Sequence, residues 1–177
     1  TIAAVLAPGD SALGTDLAAS AERVIDATGK YVVPGGIDGH THMEMPFGGT
    51  VASDTFETGT RAAAWGGVTT IVDMAVQNTG GNVQDQLALW HGKAEGNCAV
   101  DYGFHQIIGG VDEQSLKDMV YRVEQEGVTS FKLFMAYPGV LYSDDGKILR
   151  AMQTAAECGA MIMMHAENGI AIDVLVQ

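Results

Sequence analysis

From Gly36 onward, short apolar runs alternate with longer amphipathic segments that end at or near a glycine. The apolar runs predict β-strands at residues 37–43, 68–74, 99–108, 129–135 and 161–165. The segments between them predict helices at residues 54–65, 82–95, 112–126 and 144–157, and a fifth helix near 168–174. Nearly continuous apolar strands that alternate with helices indicate an α/β fold, in which a parallel sheet is covered by helices.

Residues 1–34 have a different pattern, in which short apolar runs are separated by turn residues. This pattern predicts strands at residues 2–6, 23–27 and 31–33, and tight turns at residues 7–10 and 27–30. We therefore expect two parts, a small β unit at residues 1–34 and a larger α/β domain at residues 35–177.

The composition is that of a globular protein and argues against several kinds of partner. Hydrophobic residues make up 47% of the 177 residues and charged residues 18%, which is sufficient for a sizeable core. The formal net charge of −13 argues against nucleic acid and anionic membranes as partners, because both require basic patches. The apolar runs are far shorter than the roughly 20 residues of a membrane-spanning helix.

The cysteines and the first residues of the chain favour a cytoplasmic location. Cys98 and Cys158 lack the spacing of a metal-binding or redox motif, so reduced thiols are favoured over a disulfide. No basic segment followed by an apolar segment opens the chain, and no secretory signal is therefore visible.

The first strand of the α/β part ends in a His-x-His pair, His40 and His42. Side chains two residues apart on a strand point to the same face, so both imidazoles can reach a single metal ion. Neutral imidazole is a common zinc ligand. For the pair alone, a polar strand face bonded to water or backbone is an equally good alternative.

Lys132 and His165 belong to the fourth and fifth predicted strands. In a (β/α) barrel, the C-terminal ends of the strands converge on one face, where the active site lies. A buried ammonium carries a large desolvation cost, and burial lowers the pKa of lysine. The neutral amine that results can react with carbon dioxide to form a carbamate, an anionic ligand able to bridge two metal ions. For a lone lysine, the favoured alternative is that Lys132 extends to solvent or pairs with a carboxylate.

Three further residues carry weaker signals. Asp73 ends the second strand and His105 the third, so each could support a site at the strand ends. For both residues an ordinary structural role is the favoured interpretation. His91 lies on a helix and is expected to be exposed.

Several segments together resemble the dihydropyrimidinase and D-hydantoinase family, cyclic amidases of the amidohydrolase superfamily. They are Gly-Ile-Asp-Gly-His-Thr-His at 36–42, Met-Pro-Phe-Gly-Gly-Thr at 45–50, and the segments at 66–71, 101–105, 131–137 and 165–168. The spacing of His42, Lys132 and His165 also resembles that of the family. One departure is Gly39, where relatives commonly have proline or valine.

The resemblance implies a binuclear metal centre. By this resemblance His40 and His42 bind one ion, Lys132 bridges both ions as N6-carboxylysine, and His165 binds the second. Zinc fits these ligand types, and manganese remains an alternative. The resemblance further implies that a metal-bound hydroxide attacks the cyclic amide of a dihydropyrimidine or a 5-substituted hydantoin, and that Tyr137 stabilises the oxyanion.

The resemblance also implies an incomplete TIM-type (β/α)8 barrel. About five of the eight strands are expected, preceded by part of a small β-sandwich domain at residues 1–34. The family's remaining metal ligands, a histidine and an aspartate, come from later strands, so we expect a fragment with little activity by itself. Relatives are commonly tetramers, which suggests a homo-oligomer, and an open barrel edge could pair with another chain.

Three alternatives remain at this point. The first is a non-catalytic homologue similar to the collapsin response mediator proteins, although retention of the four metal-ligand positions argues against it. The second is an assembly module that recruits a partner chain through its open edge. The third is another cyclic amidase, an allantoinase or a dihydroorotase.

Overall fold

A computed structural model describes residues 2, 4–7, 18–77 and 83–176. The chain divides into two compact units, Thr1–Pro34 and Gly35–Gln177. The predicted turn at 7–10 lies largely outside the described residues, and the predicted start of a helix at residue 82 also lies outside them. No helix in the described ranges is long and apolar enough to cross a membrane.

In the described residues of Thr1–Pro34, the predicted turn at 27–30 is confirmed. Asp26 Oδ1 accepts hydrogen bonds from the backbone N–H and the hydroxyl of Thr28, at 2.9 and 2.7 Å. The predicted strands at 23–27 and 31–33 are not strands, because their backbone groups join no sheet ladder among the described residues. Apolar side chains such as Tyr31 and Val32 are exposed there. Assignment of these residues to a β-sandwich remains a prediction.

Gly35–Gln177 contains a five-stranded parallel sheet and a short antiparallel hairpin. The strands are β1 Gly36–Thr41, β2 Pro46–Phe47, β3 Thr50–Val51, β4 Val68–Val76, β5 Asp101–Ile107, β6 Ser130–Phe134 and β7 Met161–His165. The parallel sheet has the order β1-β4-β5-β6-β7, in which each strand pairs with the next parallel strand along the chain and the β2–β3 hairpin is left out. This order is that of consecutive strands in a (β/α) barrel and confirms the predicted fold class.

Each parallel strand is followed by a helix. The helices are α1 Phe56–Trp65, α2 Val83–Ala94, α3 Glu113–Tyr121, α4 Asp145–Cys158 and α5 Gly169–Leu175. A π-helical turn, Arg122–Glu126, continues α3 and ends at Gly127, whose φ is +69°. Helix α1 begins two residues later than the predicted 54, because Thr55 is its N-cap and caps it reciprocally with Thr58.

The core lies between the sheet and its helices, and β6 illustrates how it is built. Phe131 and Leu133 point toward the helices and are fully buried, whereas Lys132 and Phe134 point to the opposite face. Ile71 and Ala75 of β4 are buried on the helix side in the same way. The sheet therefore separates a packed apolar layer from a second face that carries the polar side chains of the candidate site.

Candidate metal centre

His40 and His42 converge at the C-terminal end of β1. His40 Nε2 and His42 Nε2 are 3.2 Å apart, and both residues are exposed at this edge of the sheet. Two imidazole nitrogens bound tetrahedrally to one zinc ion at roughly 2.05 Å are expected to be about 3.3 Å apart. His40 lies in β1 and His42 directly follows the strand, and this extended segment brings the two nitrogens to a separation that suits a single ion.

The electrostatic surroundings of His42 favour its neutral form. Partial desolvation of the ring lowers the pKa of His42, and the neighbouring His40 and Lys132 lower it further. The negative charge of Asp73 acts in the opposite direction. A neutral imidazole has a lone pair available, which is the form that binds metal.

Lys132 is a buried cation on the polar face of β6. Only 9% of the residue is exposed, and desolvation lowers the pKa of its ammonium. Its Nζ lies 5.6 Å from the centre of the Phe134 ring. Among the described residues no carboxylate forms an ion pair with it, so the predicted alternative of a carboxylate partner finds no support there.

His165 ends β7 directly beside Phe134 of β6. The two rings stack with their centres 5.6 Å apart. Glu167 Oε1 lies 3.2 Å from His165 Nε2, but the angle is unsuitable for a hydrogen bond. Within the described part of the chain, this buried nitrogen therefore lacks a hydrogen-bond partner, as is expected of an atom that binds a metal ion.

Tyr137 lies in the loop after β6, next to His165. Their ring centres are 5.4 Å apart, and the Tyr137 ring also meets the edge of Phe47 at 5.5 Å. Tyr137 has a φ of +61°, which is unusual for a residue other than glycine. Its carbonyl accepts hydrogen bonds from the N–H groups of Val140 and Leu141, which hold this conformation. Unusual backbone of this kind is common at functional sites.

The loop that carries Tyr137 packs against the N-terminus of α5 with no room for a side chain. A Cβ at Gly169 would lie 2.6 Å from the carbonyl oxygen of Met135 and 2.8 Å from Cα of Ala136. The N–H of Gly169 donates to that carbonyl at 2.9 Å. We therefore expect Gly169→Ala to force a backbone shift and to lower the free energy of unfolding by about 1–3 kcal/mol in urea titration.

Gly92→Ala is the matched control for this prediction. Gly92 lies within α2, and a Cβ there would meet no atom within 4 Å. Alanine favours a helix over glycine by about 1 kcal/mol, so this variant should be as stable as the parent protein or more stable. Equal stability changes for the two variants would contradict the close packing at Gly169.

An apolar cavity of about 560 Å³ adjoins Tyr137. It lies between the β2–β3 hairpin and the loop after β6. Its lining is Met45, Pro46, Phe47, Gly48, Gly49, Thr50, Val51, Val76, Tyr137, Val140 and Leu141. A cavity of this size and character is suited to an apolar substituent of a small ligand.

The structure brings the predicted site residues to the same ends of the parallel strands. His42 and Lys132 interact electrostatically, and Phe134 lies beside both Lys132 and His165. Within the described ranges, no three His, Cys, Asp or Glu side chains form a group that could hold a metal ion.

Two residues with weak sequence signals have defined contacts around the histidine pair. His105 Nε2 lies 3.0 Å from the carbonyl oxygen of Gly39, so this nitrogen is the donor, and Nδ1 contacts Ser130 Oγ. These contacts agree with the prediction of a satisfied histidine. Asp73 is fully buried behind β1, where desolvation raises the pKa of its carboxyl and hydrogen bonds oppose that rise.

Comparisons with known proteins agree with this geometry. The Amidohydrolase family model matches residues 31–175. A D-hydantoinase of Streptomyces coelicolor is 70% identical over 94% of this chain and 36% of its own length. A dihydropyrimidinase of Rattus norvegicus is 37% identical over 93% of this chain and 30% of its own length.

Solved structures of a dihydropyrimidinase and a D-hydantoinase are also similar to this chain. A dihydropyrimidinase from Brevibacillus agri has a TM-score of 0.87 at 48% identity, over 91% of this chain and 35% of that protein. A D-hydantoinase from a Bacillus species has a TM-score of 0.82 at 50% identity, over 85% of this chain and 33% of that protein. The chain thus spans about a third of the length of these proteins, and their similarity confirms the predicted resemblance. With the family model matching most of its length, the chain belongs to the amidohydrolase family.

Proposed function

We propose that the gene product hydrolyses the cyclic amide bond of dihydropyrimidines or 5-substituted hydantoins with two divalent metal ions. The observation that carries this proposal is the 3.2 Å separation of His40 Nε2 and His42 Nε2 beside a buried Lys132 that forms no ion pair with the described residues. The names of the similar proteins, D-hydantoinase and dihydropyrimidinase, supply the substrate class.

Each predicted ligand has one role in this proposal. His40 and His42 would hold the first ion and His165 the second, and Lys132, as a carbamate, would be a ligand to both. Neutral Nζ of Lys132 attacks the carbon of carbon dioxide, a nitrogen–carbon bond forms, and one proton leaves to solvent. Zinc suits this mixture of nitrogen and oxygen ligands, and manganese is the second candidate. When bound, the ions supply Lewis acidity for attack on the amide.

Tyr137 and the apolar cavity provide for the substrate. The Tyr137 hydroxyl would donate a hydrogen bond to the oxygen of the amide carbonyl as negative charge develops on it. The adjoining cavity, lined by Phe47 and Leu141 among others, would hold the 5-substituent of a hydantoin. We further propose that the protein is a cytoplasmic homo-oligomer. The free thiols of Cys98 and Cys158 support the cytoplasmic location, because that compartment is reducing.

The direct test is hydrolysis by the whole gene product, first depleted of metal and then reconstituted with zinc or manganese. Dihydrouracil and a hydantoin with an aromatic 5-substituent are the test substrates, and allantoin and dihydroorotate are the competitors. We expect metal-dependent opening of the first two rings. Faster turnover of allantoin or dihydroorotate would place the protein with another cyclic amidase. A folded protein that binds no metal and hydrolyses none of the four would support a non-catalytic homologue.

A further inference from the structure

Asp73 makes an unusual set of contacts behind the histidine pair. Its Oδ2 accepts hydrogen bonds from the Thr41 hydroxyl at 2.7 Å and from the Met43 N–H at 2.8 Å. Its Oδ1 accepts one from Trp90 Nε1 at 3.2 Å. The residue is 0% exposed, so these donors stand in for water around the carboxylate.

The donors on Oδ2 come from the two residues that flank His42. Side chains alternate along β1, so Thr41 faces the helices while His40 and His42 face the candidate site. One oxygen atom therefore holds the side chain of Thr41 and the backbone N–H of Met43, the residues on either side of His42. This arrangement fixes the direction of the His42 side chain without touching its ring.

Helix α2 contacts both Asp73 and the turn that follows β1. Trp90 reaches Asp73 from α2, and Lys93 Nζ lies 4.6 Å from the centre of the Trp90 ring. Lys93 Nζ also lies 3.7 Å from Oε2 of Glu44. Glu44 directly follows Met43, and its φ is +53°. The end of β1 and the turn that follows it are thus tied to a helix at two points.

We propose that Asp73 is a positioning residue for metal binding, whose carboxylate holds His42 in its ligating orientation through Thr41 and Met43. The proposal rests on the metal centre of the proposed function. Groups that orient a ligand from behind in this way typically change metal affinity about 10–100-fold when they are replaced. A carboxylate that served only to join β1, β4 and α2 would affect folding and leave metal affinity unchanged.

The test compares Asp73→Asn with the parent protein and with Asp118→Asn, in the whole gene product. Asp118 is a second buried carboxylate, 6% exposed, which accepts a hydrogen bond from Gln114 on α3. Both variants remove one buried negative charge. Zinc affinity is measured by competition with a chromophoric chelator, and the melting temperature is measured on the metal-free protein. The absorption spectrum of the cobalt-substituted protein reports the ligand geometry.

For Asp73→Asn we expect zinc affinity to fall about 10–100-fold and the cobalt spectrum to change. For Asp118→Asn we expect a lower melting temperature with unchanged zinc affinity and an unchanged spectrum. Unchanged zinc affinity in Asp73→Asn, whatever its melting temperature, would overturn the proposal.

Thr41→Val decides the matter if Asp73→Asn does not fold. It removes one donor to Asp73 and conserves side-chain volume, so a smaller loss of zinc affinity is expected. Parental affinity in this variant would overturn the proposal. A parent protein that binds no zinc or cobalt would overturn the proposed function, and this inference with it.

Discussion

Replacing Lys132 with alanine should lower kcat/KM for a cyclic ureide by on the order of 10³-fold or more in the whole gene product. In the proposed function this side chain serves both ions, so its loss would remove a ligand from each. Lys132→Arg should be equally inactive. A guanidinium keeps the positive charge and stays protonated, so it has no neutral amine that could form a carbamate. Steady-state kinetics with dihydrouracil and metal analysis of each variant provide the measurement.

If Lys132 acts as a carbamate, an added carboxylate should restore activity to Lys132→Ala and not to Lys132→Arg. A small added carboxylate such as acetate can enter the space left by the side chain and offer two oxygen atoms, so it should restore part of the activity. Lys132→Arg, whose side chain fills that space, should show no restoration. Lys117→Ala, an exposed lysine on α3, is the control and should keep parental activity. A Lys132→Ala variant within tenfold of the parent would contradict the bridging role.

Replacing His42 with asparagine should remove about one metal ion per chain and lower kcat/KM by on the order of 10³-fold. Asparagine is polar and smaller than histidine, and at this exposed position the change removes the ligating nitrogen without opening a buried cavity. His42 is exposed at the edge of the sheet, and the melting temperature of the metal-free protein should therefore change little. Metal analysis after dialysis, beside kinetic measurement, checks this expectation.

His91→Asn is the matched control for His42→Asn. His91 is exposed on α2, where its ring meets the edge of Phe104 at 4.8 Å, and it has no place in the proposed centre. It should keep the parental metal content and rate. Parental metal content in His42→Asn would show that the histidine pair does not hold an ion.

The strand–helix order was predictable because each element carries its own local signal. A buried parallel strand is a continuous apolar run, and a helix on its surface has a 3.6-residue period that ends near a glycine. β7 matches its predicted bounds of 161–165, and α4, predicted at 144–157, is Asp145–Cys158. The β2–β3 hairpin was missed because its strands have two residues each, too few to show alternation.

The candidate site was predictable to a lesser extent. His40 and His42 share a strand face by spacing alone, whereas their link to Lys132 and His165 required the barrel arrangement. One hydrogen bond to Asp73 comes from Trp90, which lies 17 positions away on a helix. No local sequence pattern predicts such a partner. The positive φ of Tyr137 also has no sequence signal, because tyrosine is not a residue type that favours this backbone conformation.

The metal content of the purified whole gene product tests the central claim most directly. Elemental analysis after removal of loosely bound ions should give about two divalent ions per chain, held by His40, His42, Lys132 and His165 together with any further ligands. A protein that is folded, takes up neither zinc nor manganese, and shows no affinity for either ion would contradict the claim that this half-barrel carries a binuclear metal centre.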